Sequence, residues 1–259
     1  MATKISSLSA SSTTKIAIME ASGYALYTLV HHNYNSGAAL LLRDAAIGTS
    51  KWRTSGPSSY GDNVYEGSAL DTYLTDWYDA LPSSTRDYLV DLQYPVSDNN
   101  AGGNKILITR GACTVSLGET GLSSEFAKYN NIGVLDCTST LNIGVIWWTR
   151  QPYYGSNNAY YVNASGNGGD SYKSHVTTSY SVRPTLGAYE DQDVEYNSSL
   201  GADVFITSSG GSDSTTTGGS RIYRYESGTL VPYYLYRYEN GALVQYNLYR
   251  YENGTLVQY

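Results

Sequence analysis

Two short elements frame the stretch of this chain best suited to chemistry. Trp147-Trp148-Thr149-Arg150-Gln151-Pro152 is answered by Val182-Arg183-Pro184-Thr185-Leu186. Between them stand Tyr153, Tyr154, Asn157, Asn158, Tyr160, Asn163, Tyr172, His175 and Tyr180, set among Ser and Gly. Tyr offers wide contact area at low entropy cost, while Ser, Asn and Gly offer adaptable hydrogen bonds. That chemistry is recognition, and these nine residues form the candidate ligand-binding set. The composition does not name the ligand.

Reaction chemistry finds less to work with. Glycoside hydrolysis needs two carboxylates at a set separation. Asp76, Asp79, Glu119, Glu125 and Asp136 are available, but nothing in their spacing selects a pair. There is no Ser-His-Asp arrangement, phosphate-cradling loop or metal-ligand spacing. Cys113 and Cys137 have no pattern of cationic neighbours to lower a thiol pKa, and read as free, buried thiols. His31 and His32 read as solvated turn residues, because adjacent strand positions diverge. Asn163, Asn167 and Asp170 faintly resemble an oxygen-rich calcium loop, yet no bidentate Glu follows at the right spacing. The expectation is a non-enzyme with no catalytic residues, no cofactor and no metal.

The framing residues carry structural expectations. Trp147 and Trp148 end an apolar strand, where neighbours point to opposite faces. One belongs to the core; the other is core as well or a stacking platform for a sugar. Arg150 and Arg183 are expected to bond a carboxylate or backbone carbonyls and so brace the long segment between them.

Composition narrows the partners. The chain has 28 Tyr but only 2 Phe, and Tyr keeps a polar tip suited to half-wet surfaces. A net charge of -7 repels nucleic-acid phosphate, and no basic stripe offsets it. The amino end has no apolar signal region, and no apolar run approaches the ~20 residues a membrane helix needs. Neither nucleic-acid binding nor membrane insertion is expected.

Several elements must position the candidate set. Residues 1–15 read as a flexible or attachment arm. Strands are expected at Ala25–Val30 and Ala38–Arg43, joined by a turn-rich 31–37. Leu70, Tyr73, Leu74 and Trp77 fall at helical spacing behind a Ser68 cap. A second helix is expected from Pro82 to Leu92. Strands return at Lys105–Thr109, Thr114–Leu117 and Ile143–Trp148, with Val204–Ile206 closing the domain. Strands, two early helices, then long loops and more strands make an α+β domain over 16–206. A Gly/Ser/Thr linker follows over 207–220.

Residues 221–259 hold an internal repeat. Ile222-Tyr-Arg-Tyr-Glu-Ser-Gly-Thr-Leu-Val-Pro-Tyr233 recurs from Leu235 and again from Leu248, a period of 13. Asn-Gly between alternating apolar residues is the strongest short hairpin signal. Each unit therefore reads as one β-hairpin, with Tyr238 facing Leu243 and Arg237 facing Val244. Tyr236, Tyr238 and Leu243, and in the last unit Tyr249, Tyr251 and Leu256, are the candidate assembly residues. A lone hairpin is marginal in water. The three either stack on one another or dock on another chain, and a homo-oligomer is expected.

Residues of about 24–188 resemble an uncharacterised domain family of Gram-positive bacteria and their phages, related to the C-type-lectin-like, formylglycine-generating-enzyme-like fold. The matching residues are Trp147, Trp148, Arg150 and Pro152; Tyr161, Val162, Asn163 and Gly166; and Val182, Arg183, Pro184 and Leu186. Thr149, Gln151 and Thr185 depart from the family pattern. The resemblance implies a C-type-lectin-like domain displaying binding residues near its carboxyl end. It further implies a phage virion protein whose partners are a host-surface glycan or protein and other virion proteins. The alternative class is a structural, self-assembling or decoration protein of the capsid or tail, assembled through the repeats. A cell-wall hydrolase is the third.

Overall fold

The computed structural model describes residues 2–34, 38–55, 63–97, 104–122, 134–136, 138–153, 157–163 and 170–206, and the backbone of six strands between 222 and 258. The chain divides into two units, Met1–Thr207 and Ser208–Tyr259.

The first unit is built on a nine-stranded sheet. It contains β1 (Thr3–Lys4), β2 (Lys15–Glu20), β3 (Gly23–Tyr34), β4 (Ala38–Arg43), β6 (Leu89–Val90), β9 (Ala112–Cys113), β14 (Thr185–Tyr189), β15 (Asp193–Asn197) and β16 (Ala202–Phe205). Their order is β1-β15-β16-β2-β3-β4-β14-β6, with β9 also on β14. A five-stranded sheet holds β5 (Gly48–Lys51), β10 (Trp147–Pro152), β11 (Asn158–Asn163), β12 (Asp170–His175) and β13 (Ser179–Val182), in the order β12-β11-β10-β13-β5. β7 (Leu92–Ser97) and β8 (Lys105–Arg110) form a separate ribbon. Both main sheets are mixed: β16 runs parallel to β2, and β10 to β13.

β4 explains how two cores share one sheet. Ala38, Leu40 and Leu42 enter the core that also holds Trp147 and Trp148, while Ala39 and Leu41 enter the other with Ile16 and Tyr27. A strand buried on both faces must be apolar throughout, and this one is until Arg43. Helix α1 (Ala69–Asp79) starts where expected. The Ser68 side chain accepts from the Asp71 amide at 3.1 Å, and Leu70 and Leu74 are buried. No described helix is long and apolar enough to cross a membrane.

Several expectations need correction. The fold is mostly β with mixed sheets, so the α+β, C-type-lectin-like class does not describe it. The expected second helix is a single turn, α2 (Ser83–Arg86), and Leu89, Val90 and Leu92 lie in strands. Cross-strand bonds to β14 and β8 outweigh the helical spacing of Tyr88, Leu89 and Leu92. The tyrosine-rich stretch does not stand out as one long loop, because its alternating residues pair as β11 and β12. The amino-terminal segment is no free arm. β1 pairs with β15, and Ile5 is buried in the second core.

The histidines also differ from their reading as solvated turn residues. His31 and His32 lie inside β3, with Nδ1 2.9 Å from Asp136 and Glu190 respectively. The His32 Nε2–H donates to the Leu8 carbonyl at 3.0 Å and so ties down the amino-terminal segment. Thr114–Leu117 forms no strand; Ala112–Cys113 does, and the segment after it is buried without a ladder. The strand expected from Ile143 starts at Trp147.

The second unit contains β17 (Ile222–Glu226), β18 (Thr229–Tyr233), β19 (Leu235–Glu239), β20 (Ala242–Tyr246), β21 (Tyr249–Glu252) and β22 (Thr255–Gln258). They pair as three antiparallel hairpins, with Tyr238 opposite Leu243, Arg237 opposite Val244, and Tyr251 opposite Leu256. Among the described residues no ladder joins one hairpin to the next. The linker 207–220 and the side chains of Tyr236, Tyr238, Leu243, Tyr249, Tyr251 and Leu256 lie outside the described residues.

Candidate functional site

The five-stranded sheet gathers most of the candidate residues at its β12 edge. In β11, Tyr160 and Tyr161 are adjacent and so point to opposite faces. On one face a row of rings climbs from the core to solvent. Trp52 and Trp148, both fully buried, stack with centroids 6.3 Å apart. Trp148 meets Tyr180 at 4.8 Å and Tyr161 at 6.3 Å. Tyr161 stacks on Tyr172 at 6.1 Å, and Tyr172 is 50 % exposed. The register dictates this row: Trp148 opposes Tyr161, and Tyr161 opposes Tyr172. Such offset pairs add about 0.5–1.5 kcal/mol each beyond area burial, so the outer ring is held in place. The Tyr180 hydroxyl donates to Ser174 Oγ at 3.2 Å, and burial beside Tyr180 raises the Tyr161 phenol pKa.

The other face carries a smaller cluster. Tyr153 and Tyr160 meet edge to face at 5.3 Å, and the Lys173 ammonium sits 3.9 Å above the Tyr153 ring. Lys173 is exposed and pairs across the strands with Tyr160. Asn157, Asn158 and Asn163 are half-buried around β11, and His175 is exposed at the end of β12, bonded to Thr177. Tyr154, and the loop holding Asn167, lie outside the described residues. Both tryptophans of the pair are core, so neither is itself a platform; Trp148 is the root of one.

Residues 36–187 match the model of a family described as Domain of unknown function (DUF6273). The chain belongs to that family. The match takes in more than half of the 259 residues, from just before β4 into β14, and includes the whole five-stranded sheet. No curated protein and no solved structure matches the chain.

Within the DUF6273 domain the two framing arginines are buried. The Arg150 guanidinium faces Glu119, with one Nη bonded to each carboxylate oxygen, and donates to the carbonyls of Pro95 and Thr114 at 3.1 and 2.7 Å. Arg183 donates to the carbonyls of Arg43 and Thr140 and lies 5.3 Å from the Trp147 ring centroid. Glu119 is thus committed to Arg150. Asp136 faces His31. Burial pushes the Cys113 thiol up to about 12, and its Sγ donates to the Tyr65 hydroxyl at 3.3 Å. Cys137 lies outside the described residues. Asp79 and Asp91 line a cleft of about 380 Å³ with Tyr78 and Arg110, and desolvation followed by the Asp79 charge raises the Asp91 carboxyl pKa. Among the described residues no three His, Cys, Asp or Glu side chains are grouped to hold a metal.

Sequence reading missed Trp52, Tyr161 as a platform member, and Lys173. Strict alternation through β11 and β12 would have found the last two. Nothing local marks Trp52, which lies far from Trp148 along the chain.

Two predictions follow from this buried chemistry. Replacing Arg150 alone by Met strands the Glu119 carboxylate, so urea unfolding should show a loss of about 3–5 kcal/mol. Arg150→Met combined with Glu119→Leu should lose less than the sum of the two single variants; an additive double variant would mean that the pair does not act as a unit. The second concerns alkaline pH. Burial raises the phenol pKa values of Tyr27, Tyr34, Tyr65 and Tyr94, as it does that of Cys113. The folded protein therefore keeps protons that the unfolded chain gives up. Stability should be unaffected by these groups below about pH 8.5 and then fall as pH rises toward the folded-state values. Spectrophotometric titration should reveal a tyrosine class that ionises only with unfolding. A single class titrating reversibly would contradict the burial.

Proposed function

We propose that the DUF6273 domain is a non-catalytic recognition module of a phage virion that binds a glycan or protein on a bacterial surface. The observation that carries this reading is the ring ladder ending in exposed Tyr172. A large aromatic held rigidly at a sheet edge loses little entropy when a ligand covers it. Tyr153, Tyr160 and Lys173 add a second contact cluster across the same strands. Polar groups suited to orienting a ligand surround both, among them Asn158, Asn163 and His175. The resemblance to a family of Gram-positive bacteria and their phages supports the virion setting, with other virion proteins as further partners. The Cys113 thiol and the Glu119 carboxylate are bound into the core.

A second reading has its own observation. Three hairpins of equal register stand, among the described residues, as separate two-stranded sheets whose edges pair with no other described strand. Unpaired edges recruit strands. The repeats then serve as a self-assembly module, and the protein is a homo-oligomeric structural or decoration component.

Tyr172→Ala in the full chain should weaken adsorption to the host cells by about tenfold or more, the effect of losing one aromatic anchor. Its thermal midpoint should stay close to that of the parent. Unchanged adsorption would remove the platform from the function. For the second reading, light scattering should give an oligomer for the full chain and a monomer for a chain ending at Thr207. Equal masses for both would end it.

A further inference from the structure

Lys4, Lys15, Arg43, Arg110 and Arg150 each pair with an Asp or Glu side chain. With 23 Asp and Glu against 16 Lys and Arg, the chain has carboxylates to spare. Lys173, on the edge strand β12, takes none among the described residues; its ammonium lies 3.9 Å above the Tyr153 ring instead. The strand places its companions. Lys173 and His175 are two residues apart on β12, so they share a face and stand about 7 Å apart. Register sets Tyr160 opposite Lys173 and Asn158 opposite His175. Tyr160 meets Tyr153 edge to face at 5.3 Å. Lys173 and His175 are exposed, and Tyr153, Asn158 and Tyr160 are half-buried, so a ligand can reach the cluster from solvent.

These groups select the ligand chemistry. An ammonium with three donors and no carboxylate calls for an anionic acceptor. The phenols and the Asn158 carboxamide suit hydroxyls beside it. The five strands of this sheet carry one carboxylate residue, Asp170, at the opposite end of β12. Three residues separate it from Lys173, about 10 Å along the strand. At physiological salt, charges are screened beyond about 8 Å. An acidic group beside Lys173 therefore feels that cation more than Asp170 or the charge of -7 on the whole chain. A nucleic acid gains its affinity from several phosphate contacts at once. One cation set among phenols matches sparser charge, such as one acid group on a sugar ring.

We propose that Lys173, with Tyr153, Tyr160 and His175, forms an acid-reading subsite that selects glycans bearing carboxylate or phosphate groups. This deepens the recognition reading and rests on it. Tyr172 supplies contact area on one face of β12, and Lys173 supplies selectivity on the other.

The test titrates the full chain by calorimetry with two matched pairs of ligands. A galacturonate hexamer is set against its methyl ester, which keeps the rings and loses the charge. Phosphomannan is set against the mannan left when its phosphate is removed. In at least one pair the anionic member should bind about two- to fivefold tighter, the scale of one exposed ion pair. Which pair responds tells a carboxylate from a phosphate. The advantage should shrink as salt rises. Lys173→Gln should bring the anionic member down to the affinity of its neutral partner, leave that partner's affinity unchanged and keep the thermal midpoint. If neither anion binds the parent chain better than it binds Lys173→Gln, the subsite is absent. If oligoglutamate or oligothymidylate of equal charge binds as tightly, charge alone is read and the glycan assignment fails. Host-cell adsorption separates the two readings. Adsorption that depends on Tyr172 but not on Lys173 overturns the subsite and leaves the recognition reading intact.

Discussion

The structure depends on a fully buried ion pair, Arg150 with Glu119. Taking two charges out of water costs several kcal/mol per ion unless further hydrogen bonds satisfy them. Here they do. Glu119 also accepts from the Ser116 amide at 2.8 Å and the Tyr34 hydroxyl at 3.1 Å. Arg150 spends its other donors on the carbonyls of Pro95 and Thr114, and its own amide bonds Val115. One pair thus ties together β3, β7, β10 and residues 114–119. That last stretch is buried without a ladder, so its backbone groups need partners from elsewhere. The pair supplies them, and in doing so it fixes β10 against the first sheet. Trp148 sits two residues before Arg150. Its position, and that of every ring stacked beyond it, follows from where the guanidinium is held.

Arg183 is held by backbone: it bonds carbonyls of Arg43 and Thr140 and borders the Trp147 ring. The result is a clamp where β13 gives way to β14, the point at which the chain leaves the small sheet for the large one. The two arginines therefore bound the tyrosine-bearing strands at both ends. Their partners were invisible in the sequence, because Glu119, Pro95 and Arg43 are brought near only by the fold.

Legibility followed how local the deciding interaction is. Ser68 and the helix behind it could be read directly, since a cap and a helical stripe lie within a dozen residues. So could the hairpin registers, which a two-residue turn sets by itself. What failed was decided at long range. Tyr88, Leu89 and Leu92 share a helical face on paper, yet β14 and β8 offer ladder partners that one short helix cannot match. The amino-terminal residues look like a polar arm until Asp193 and Val194 arrive to pair with Lys4 and Thr3. His31 and His32 resemble turn residues until carboxylates from distant segments meet each. The tyrosine-rich stretch was recognised by composition, but composition cannot separate a loop from strands whose exposed positions happen to be Tyr and Asn.

That last distinction matters for how such a surface works. A loop presenting tyrosines must be ordered by its ligand. Here the order is already present, inherited ring by ring from Trp52 and Trp148. The neighbouring pair Tyr160 and Tyr161 sends one phenol to each face of β11, so the edge carries contact groups on both sides. Among the described strands β12 is the last on this side of the sheet. On the recognition reading proposed here, a ligand at this edge would meet Tyr172 on one face and Tyr153 with Lys173 on the other, without either cluster having to move toward the other.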